Sequence, residues 1–308
     1  MRPGVLECVV EPPVDPEAVF EVLSGLHPQA EGIVWLDSGV GARTGQSLMA
    51  IGERVPLDDT LPVLPQVRAE REALAVPTGD EALPLGLIGW FGYELRAETM
   101  GMPVDPVPSH HRAAWLRVDR GVTVDHATGE CRLVALDPAG TGEWSGELDE
   151  WRQRMLAALA EGRRASGDEI APLGPVVWRD VVWRDADERY ADLVRACQRS
   201  IRDGDAYQLC LTTQARVETA DGTPIDATTI YRRLRRSSPA HHGALVRIGE
   251  TTLLSASPET FLRVDNGVVQ TRPIKGTRPR DADVQRDAEL AAELAGIEAA
   301  MADPERAD

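Results

Sequence analysis

The chain has 308 residues, of which 43% are hydrophobic and 27% are charged, an ordinary composition for a soluble globular protein with one large domain or two smaller ones. Its net charge of −17 argues against nucleic acid or an acidic membrane as a partner, because both attract positively charged proteins. No apolar run reaches the length of a membrane span, and the N-terminus lacks the basic and apolar segments of a signal peptide.

The cysteines predict a reducing, cytoplasmic environment. They are Cys8, Cys131, Cys197 and Cys210, and their spacing is neither paired nor accompanied by clustered histidines. A disulfide framework or a zinc site normally shows such spacing, so we expect reduced and mostly buried thiols.

Residues 1–163 form a first region that is predicted to be rich in short strands. Apolar runs bounded by turn residues predict four of these strands. They are 32–38, 83–93, 115–125 and 131–136. The last two are joined by a short turn and predict a hairpin. A helix is predicted at 147–161, because its apolar residues recur at helical spacing.

A polar linker, 164–182, separates this region from a second one at 183–308. The second region begins with a helix that starts near Asp185 and ends at Gly204, with an acidic first turn and a stripe of apolar residues that should be buried. The stripe consists of Tyr190, Leu193, Val194, Cys197 and Ile201. Further strands are predicted at 206–217, 244–248, 252–255, 261–264 and 268–271, and further helices at 225–236 and 284–301. Strands mixed with helices in this order favour an α+β fold over a wound βαβ sheet.

Lysine is almost absent from the chain. Of the 33 basic residues only Lys275 is a lysine, and the others are arginines. A lysine amine can lose its proton and attack a substrate, whereas a guanidinium stays charged, so Lys275 is a candidate nucleophile. A coding bias that leaves one lysine by chance is the alternative. Lys275 also lies among Arg272, Arg278 and Arg280, a cluster that suggests an anionic small molecule or, alternatively, a solvated loop.

Three segments carry a family resemblance. They are 205–214, Ser255–Leu262 with its Ser-Pro-Glu string, and 271–280 with its Pro-Ile-Lys-Gly-Thr string. Their order and spacing resemble the chorismate-utilising enzymes: anthranilate synthase component I, aminodeoxychorismate synthase component I, isochorismate synthase and salicylate synthase. Residues 89–95 and 35–38 resemble the N-terminal region of the aminating members more weakly. The resemblance implies an α+β fold with antiparallel sheets in a β-sandwich-like core flanked by helices.

The resemblance also implies a mechanism. Lysine at position 275 is typical of aminodeoxychorismate synthases, whereas anthranilate synthases typically have alanine there. The lysine amine would attack C2 of chorismate and expel the C4 hydroxyl, after which ammonia would add at C4 and release the enzyme. This step requires a neutral amine near pH 7, which desolvation and the neighbouring cations favour. Glu259 resembles the general acid that protonates the departing hydroxyl.

Other positions are implied to bind the substrate. Gln208 stands where water-adding relatives have a lysine base, and an amide cannot act as that base, so glutamine favours amination. Gly276 and Thr277 are expected to bind a carboxylate or ring oxygen, with Arg272 as a further substrate contact. For isolated residues of these types, the alternatives are an ordinary polar residue in a strand and a solvated glutamate in a turn.

Two further sites rest on weaker similarity. Ser38 and Ser47 lie near positions where some relatives bind tryptophan as a regulator, although turn hydrogen bonding is the default role for both. In relatives, the string that corresponds to 303–307 is followed by a glutamate that binds magnesium and then by a long segment completing the pocket. Here the next residue is Asp308, a weak candidate for a Mg²⁺ ligand, and the sequence ends there.

The resemblance therefore implies an enzyme that aminates chorismate to 4-amino-4-deoxychorismate, a precursor of 4-aminobenzoate and folate. The cysteines predict that it is cytoplasmic. The resemblance implies Mg²⁺ as cofactor and a glutamine amidotransferase subunit or domain as the source of ammonia. One alternative is anthranilate synthase component I. Another is a truncated, non-catalytic homologue that acts as a binding subunit. The position of the C-terminus leaves a fragment of a longer protein and a short natural protein both open.

Overall fold

The computed structural model describes residues 4–74, 85–102, 111–138, 140–162, 178–265, 267–271 and 278–301. The strands in these ranges are β1 (Gly4–Val10), β2 (Gly32–Asp37), β3 (Gln46–Arg54), β4 (Gly86–Phe91), β5 (Ala113–Asp125), β6 (Cys131–Asp137), β7 (Val182–Trp183), β8 (Ala215–Arg216), β9 (His242–Ile248), β10 (Thr251–Ser257), β11 (Arg263–Asp265) and β12 (Val268–Gln270). The helices are α1 (Pro16–Leu26), α2 (Val63–Leu74), α3 (Arg96–Met100), α4 (Gly146–Gly162), α5 (Asp187–Arg202), α6 (Ala227–Ser237) and α7 (Val284–Met301), with a 3₁₀ turn at Tyr93–Leu95.

The chain divides into two compact units. The first combines Met1–Asp168 with Tyr231–Asp308, and the second is Glu169–Ile230. Strands β9 and β10, which follow the second unit in sequence, belong to the same sheet as β1 to β6. The predicted domain boundaries at residues 163 and 182 stay a prediction. In the structure, the first unit is built from both ends of the sequence.

The first unit is organised by one antiparallel sheet. Its strands run in the order β1-β6-β5-β3-β2-β9-β10, and β4 pairs with the first half of β5. The predicted hairpin of β5 and β6 is confirmed, and Arg120 lies opposite Ala135 at its open end. The pairing of β2 with β9 places Val34 opposite Val246, which lies more than 200 residues later in the sequence. This pairing joins the N-terminal and C-terminal segments of the first unit in one sheet.

Each face of the sheet has its own hydrophobic core, as side chains of a strand point alternately to opposite faces. Ile33 and Trp35 of β2 pack on one face beneath α1, α4 and α6, and Val34 between them packs on the other. On the second face β5 and β9, which are not neighbours in the sheet, approach each other. The sheet therefore curves over its own second face, and the predicted α+β class with antiparallel sheets is confirmed.

A bulge in β5 allows this curvature. Between Ile51 and Glu53 of β3, the opposing strand β5 has an extra residue. Because an extra residue reverses the alternation of side chains, Leu116 faces the second core and Val122 faces the first, although both numbers are even. One continuous strand thus contributes to both cores.

The second unit differs from its prediction. The segment 206–217 was expected to be a strand, but only Ala215–Arg216 pairs, with β7, and the rest is irregular. The expectation was wrong because a strand requires a paired neighbour, and β7 is two residues long. The apolar stripe of α5 is half-buried rather than buried, and Ile201 is 43% exposed. The start of α5 and the end marked by Gly204, in a left-handed conformation, agree with the sequence.

Gly89 in β4 provides a test of the sheet. A Cβ atom at this position would lie 2.1 Å from the carbonyl oxygen of Ala114 in β5, a backbone atom that cannot move without separating the strands. We expect Gly89→Ala to reduce the free energy of unfolding by about 1–3 kcal/mol, as overpacking does. Urea denaturation followed by far-UV circular dichroism measures it.

Gly25→Ala in α1 is the matched control, because its Cβ would meet nothing within 4 Å. Alanine at a helical position should leave stability unchanged or raise it by up to about 1 kcal/mol. Equal midpoints for the two variants would contradict the packing of β4 on β5.

Candidate functional site

The described residues include four of the predicted site residues. Lys275, Arg272, Gly276, Thr277 and Asp308 lie outside the described residues. Glu259, Ser38 and Ser47 belong to the first unit, and Gln208 belongs to the second.

Glu259 lies in the turn that follows β10. The Ser257 hydroxyl donates to the Glu259 carbonyl oxygen at 3.2 Å, and the hydroxyl of Thr260 lies 2.8 Å from Nε2 of His242, at the start of β9. The Ser-Pro-Glu turn is therefore fixed to the neighbouring strand. The Glu259 side chain itself is partly exposed.

A short hairpin connects this turn with the entry to the Lys275 segment. Strands β11 and β12 pair with Arg263 opposite Gln270. Just beyond the paired residues, the hydroxyl of Thr271 donates to the carbonyl oxygen of Phe261 at 2.8 Å. Residues two positions after Glu259 and four positions before Lys275 are thus in contact.

The exit of the same segment is held by α7. Arg278 lies 3.5 Å from a carboxylate oxygen of Glu293, and Arg280 makes two hydrogen bonds to Asp287, at 2.7 and 2.8 Å. The hydrogen bonds from Arg280 lower the pKa of Asp287 to about 2. Two of the four clustered cations therefore have carboxylate partners on α7.

Gln208 is exposed and lies in an irregular segment rather than in the predicted strand. Tyr207 beside it is 96% exposed. The polar residues that follow, Thr212 and Thr213, contact the chain just before α5.

Ser38 and Ser47 surround a buried carboxylate, that of Asp37. The Ser38 amide donates to the Ser47 hydroxyl at 3.1 Å, and the Ser38 hydroxyl donates to the carbonyl oxygen of Gln46 at 3.0 Å. The Ser47 hydroxyl lies 2.8 Å from Nε2 of His126 and donates to Asp37 at 3.4 Å. In this structure both serines join β2 to β3 by internal hydrogen bonds, and their role as ligand contacts stays a prediction.

Asp37 is the centre of this network and is 3% exposed. Arg235 of α6 donates to both of its carboxylate oxygens, at 2.8 and 3.2 Å, and stacks on the ring of Trp35 with 4.6 Å to the centroid. The Tyr231 hydroxyl donates to the same carboxylate at 3.4 Å. Burial and the charge of Asp37 raise the pKa of this hydroxyl, so it keeps its proton. The arrangement fixes α6 to β2.

A metal site is not formed by the described side chains. Among them, no three acidic, histidine or cysteine residues lie close enough together to hold an ion. Asp308 lies outside the described residues, so magnesium stays a prediction. Within the described ranges, none of the helices has both the length and the apolar character needed to cross a membrane. The four cysteines are free thiols, of which Cys131 is buried and Cys210 exposed.

Comparison with known proteins identifies the family. Residues 32–298 match the family described as chorismate binding enzyme. The chain belongs to this family. The match includes the Ser-Pro-Glu turn, the Pro-Ile-Lys-Gly-Thr string and the Gln208 segment, so the resemblance seen in the sequence is confirmed.

Several relatives in the chorismate-binding family carry the name aminodeoxychorismate synthase. The protein of that name from Streptomyces griseus is 39% identical over 231 residues, which are 72% of this chain and 30% of that protein. The one from Streptomyces pristinaespiralis is 35% identical over 220 residues, 70% of this chain and 29% of that protein. Aminodeoxychorismate synthase component 1 of Escherichia coli is 29% identical over 243 residues, 77% and 48% respectively. The chain thus spans about three tenths of the first two relatives and about half of the third.

Solved structures show the same fold. The menaquinone-specific isochorismate synthase of Escherichia coli superposes with a TM-score of 0.55 over 95% of this chain and 59% of its own, at 14% identity. Anthranilate synthase component I of Streptococcus pneumoniae gives 0.53 over 98% and 59%, at 19% identity. Identities this low compare the folds alone, and they confirm the chorismate-utilising fold that the sequence predicts.

The sequence pattern missed the centre of the buried network. Asp37 stands inside segment 35–38, but the sequence predicted a role for the serine beside it and none for the aspartate. Tyr231 and Arg235 are four residues apart on a predicted helix, which places both on one face. An arginine on the face that carries an aromatic core residue was the available signal for a buried ion pair.

Arg235 provides a test of this network in the chorismate-binding fold. We expect Arg235→Met to reduce the free energy of unfolding by about 3–5 kcal/mol, because the carboxylate of Asp37 remains buried without its partner. Equilibrium denaturation of the purified chain gives this quantity. Arg236→Met on the same helix is the control, since its side chain is 45% exposed and 3.7 Å from Glu17, and it should change stability by less than about 1 kcal/mol. A loss of similar size in both variants would show that the buried pair has no special weight.

Proposed function

We propose that this chain carries the chorismate-binding and reacting groups of an aminodeoxychorismate synthase. The proposed reaction converts chorismate to 4-amino-4-deoxychorismate, on the way to 4-aminobenzoate and folate. The names of the relatives support it, and so does the lysine in the Pro-Ile-Lys-Gly-Thr string.

The observation that carries the proposal is the hairpin of β11 and β12. Its closing hydrogen bond, from Thr271 to Phe261, joins the flanks of the two residues with the required chemistry. Glu259 is the group that can donate a proton, and Lys275 is the chain's only source of a side-chain primary amine. A short connection between them suits a reaction that needs both at one substrate ring.

In the proposed reaction the neutral amine of Lys275 forms a bond to C2 of chorismate, the two conjugated ring double bonds each shift by one position towards C4, and the C4 hydroxyl leaves as water after taking a proton from Glu259. Ammonia then forms a bond to C4, the two double bonds shift back, and the lysine amine departs from C2 with the electron pair of the C–N bond. The proton that the added ammonia releases can return to the glutamate carboxylate.

The remaining parts of the proposal concern binding and supply. Gln208, Arg272, Gly276 and Thr277 are proposed to contact the substrate. A partner of glutamine amidotransferase type is proposed to deliver ammonia, and the words "component 1" in the names of relatives support a second component. Magnesium is proposed as the cofactor, since the substrate carries carboxylates that a hard cation can bridge. A cytoplasmic location is supported by the free thiols.

The proposal is tested by trapping the covalent intermediate. The full chain is incubated with chorismate and magnesium but without ammonia, and its intact mass is measured. We expect a mass increase equal to chorismate minus one water, and peptide mass spectrometry should place it on Lys275. Because the chain has no other lysine, the only competing amine is the N-terminus, which the peptide analysis separates.

Variants distinguish the alternatives. Lys275→Arg retains the positive charge and should form no adduct and no product, because a guanidinium does not attack. Glu259→Gln should slow adduct formation roughly 10²–10⁴-fold, as loss of a general acid does. Undiminished amination by Lys275→Ala would favour the anthranilate synthase reading. Neither adduct nor turnover in the wild-type chain, supplied with ammonia, would favour a non-catalytic binding subunit.

A further inference from the structure

The segment that contains Gln208 is attached to the rest of the second unit at its two ends. At its start, the amide of Asp205 donates to the carbonyl oxygen of Ser200 at 2.9 Å, and Ser200 lies in the last turn of α5. Between the anchors, Tyr207, Gln208, Leu209 and Cys210 are exposed. Because burial contributes little there, the conformation around Gln208 depends on the anchors.

The far anchor is made by two consecutive residues just before α5. The Thr213 hydroxyl donates to the carboxylate of Asp185 at 2.8 Å. Arg184 donates through Nη2 to the carbonyl oxygen of Thr212 and through its amide to that of Gln214, the latter at 2.8 Å. Arg184 and Asp185 therefore hold three consecutive residues at the far end of the segment, Thr212, Thr213 and Gln214.

Asp185 organises this anchor. Its oxygen Oδ2 accepts from Thr213 and also from Nε of Arg184, at 3.0 Å, so it orients the guanidinium that reaches Thr212. The hydrogen bond from Thr213 and then that from Arg184 hold the pKa of Asp185 below its usual range, so it is ionised at neutral pH.

A helix cap is the usual role of an aspartate at this place, and the structure assigns Asp185 a different one. The N-cap residue of α5 is Ala186, and it makes no side-chain cap hydrogen bond. The side chain of Asp185 is 15% exposed and is occupied by Thr213 and Arg184.

We infer that Asp185 is a positioning residue that sets the conformation of the Gln208 segment through Thr213 and Arg184. This inference rests on the proposed function where it concerns chorismate, because Gln208 is proposed there as a substrate contact. It assigns the chain before α5 a part in substrate binding through the conformation of the Gln208 segment.

The first measurement is hydrogen–deuterium exchange on the full chain. Asp185→Ala should raise the exchange rate of the Arg184 amide and of peptide 205–214 by roughly tenfold, the effect of losing about one hydrogen bond to a charged group. Thr213→Val should act on the same peptide, and Thr213→Ser, which keeps the hydroxyl, should match wild type. Asp187→Ala is the control, because this exposed carboxylate in the first turn of α5 also affects the helix start.

The second measurement is the kinetics of chorismate with ammonia. Asp185→Ala should raise KM for chorismate about five- to tenfold with kcat within about twofold, whereas a general loss of folded protein lowers apparent kcat and leaves KM unchanged. The double variant with Thr213→Val should be no worse than Asp185→Ala alone, since both remove the same contact.

Each outcome decides between the two proposals. Exchange in Asp185→Ala equal to that in Asp187→Ala overturns the anchor. Faster exchange with unchanged KM overturns its part in substrate binding. A wild-type chain that does not turn over chorismate overturns the proposed function, and the exchange rates then still decide whether Asp185 holds the segment.

Discussion

The first unit depends on the neutralisation of one buried carboxylate. Asp37 ends β2 inside the core, and its negative charge is compensated by Arg235, 198 residues later. A buried charge without a partner is strongly destabilising, so this requirement brings α6 to the end of β2. The four residues between α6 and β9 then leave the chain beside β2, where β9 pairs with it along Gly32–Asp37. The position of β10, and of the turn that carries Glu259, follows from that pairing.

We expect the pair to contribute specificity more than net stability. Desolvation of two charges offsets much of their attraction, so an apolar pair of the same volume could be as stable. An apolar pair would not provide direction. The Asp37 carboxylate binds Arg235 through both of its oxygens and also accepts hydrogen bonds from the Gly39 amide and the Tyr231 hydroxyl, and these contacts fix the rotation of α6 about its axis. The two serines complete the same network from β3. This explains why polar residues cluster at the end of a strand that is otherwise apolar.

Local elements could be predicted from the sequence, and long-range ones could not. The hairpin of β5 and β6, helix α4 and helix α7 follow from periodicity and turn residues within a short window. The prediction of a strand at 206–217 was wrong. A local pattern does not reveal the partner strand, and β7 pairs with two residues of this segment. Helix α1 and strand β3 were not predicted, and the bulge of β5 is invisible to a pattern that assumes strict alternation. The insertion of β9 beside β2 has no local signal at all.

The candidate site shows the same division. Composition alone singled out Lys275, and motif spacing singled out Glu259, because chemistry restricts which residue types can serve. Their connection required the structure, yet it is a local one. Sixteen positions separate them, and a hairpin of two three-residue strands, with one threonine hydroxyl, brings their flanks into contact. Gln208 is different, since it lies in the second unit. Its conformation depends on contacts between Arg184 and Asp185, which precede α5, and the residues that follow Gln208. Under the proposed function, the hairpin and the Thr271 hydroxyl thus set the spacing between the flanks of the two reacting residues, and the anchor at Asp185 sets the conformation of the Gln208 segment within its own unit.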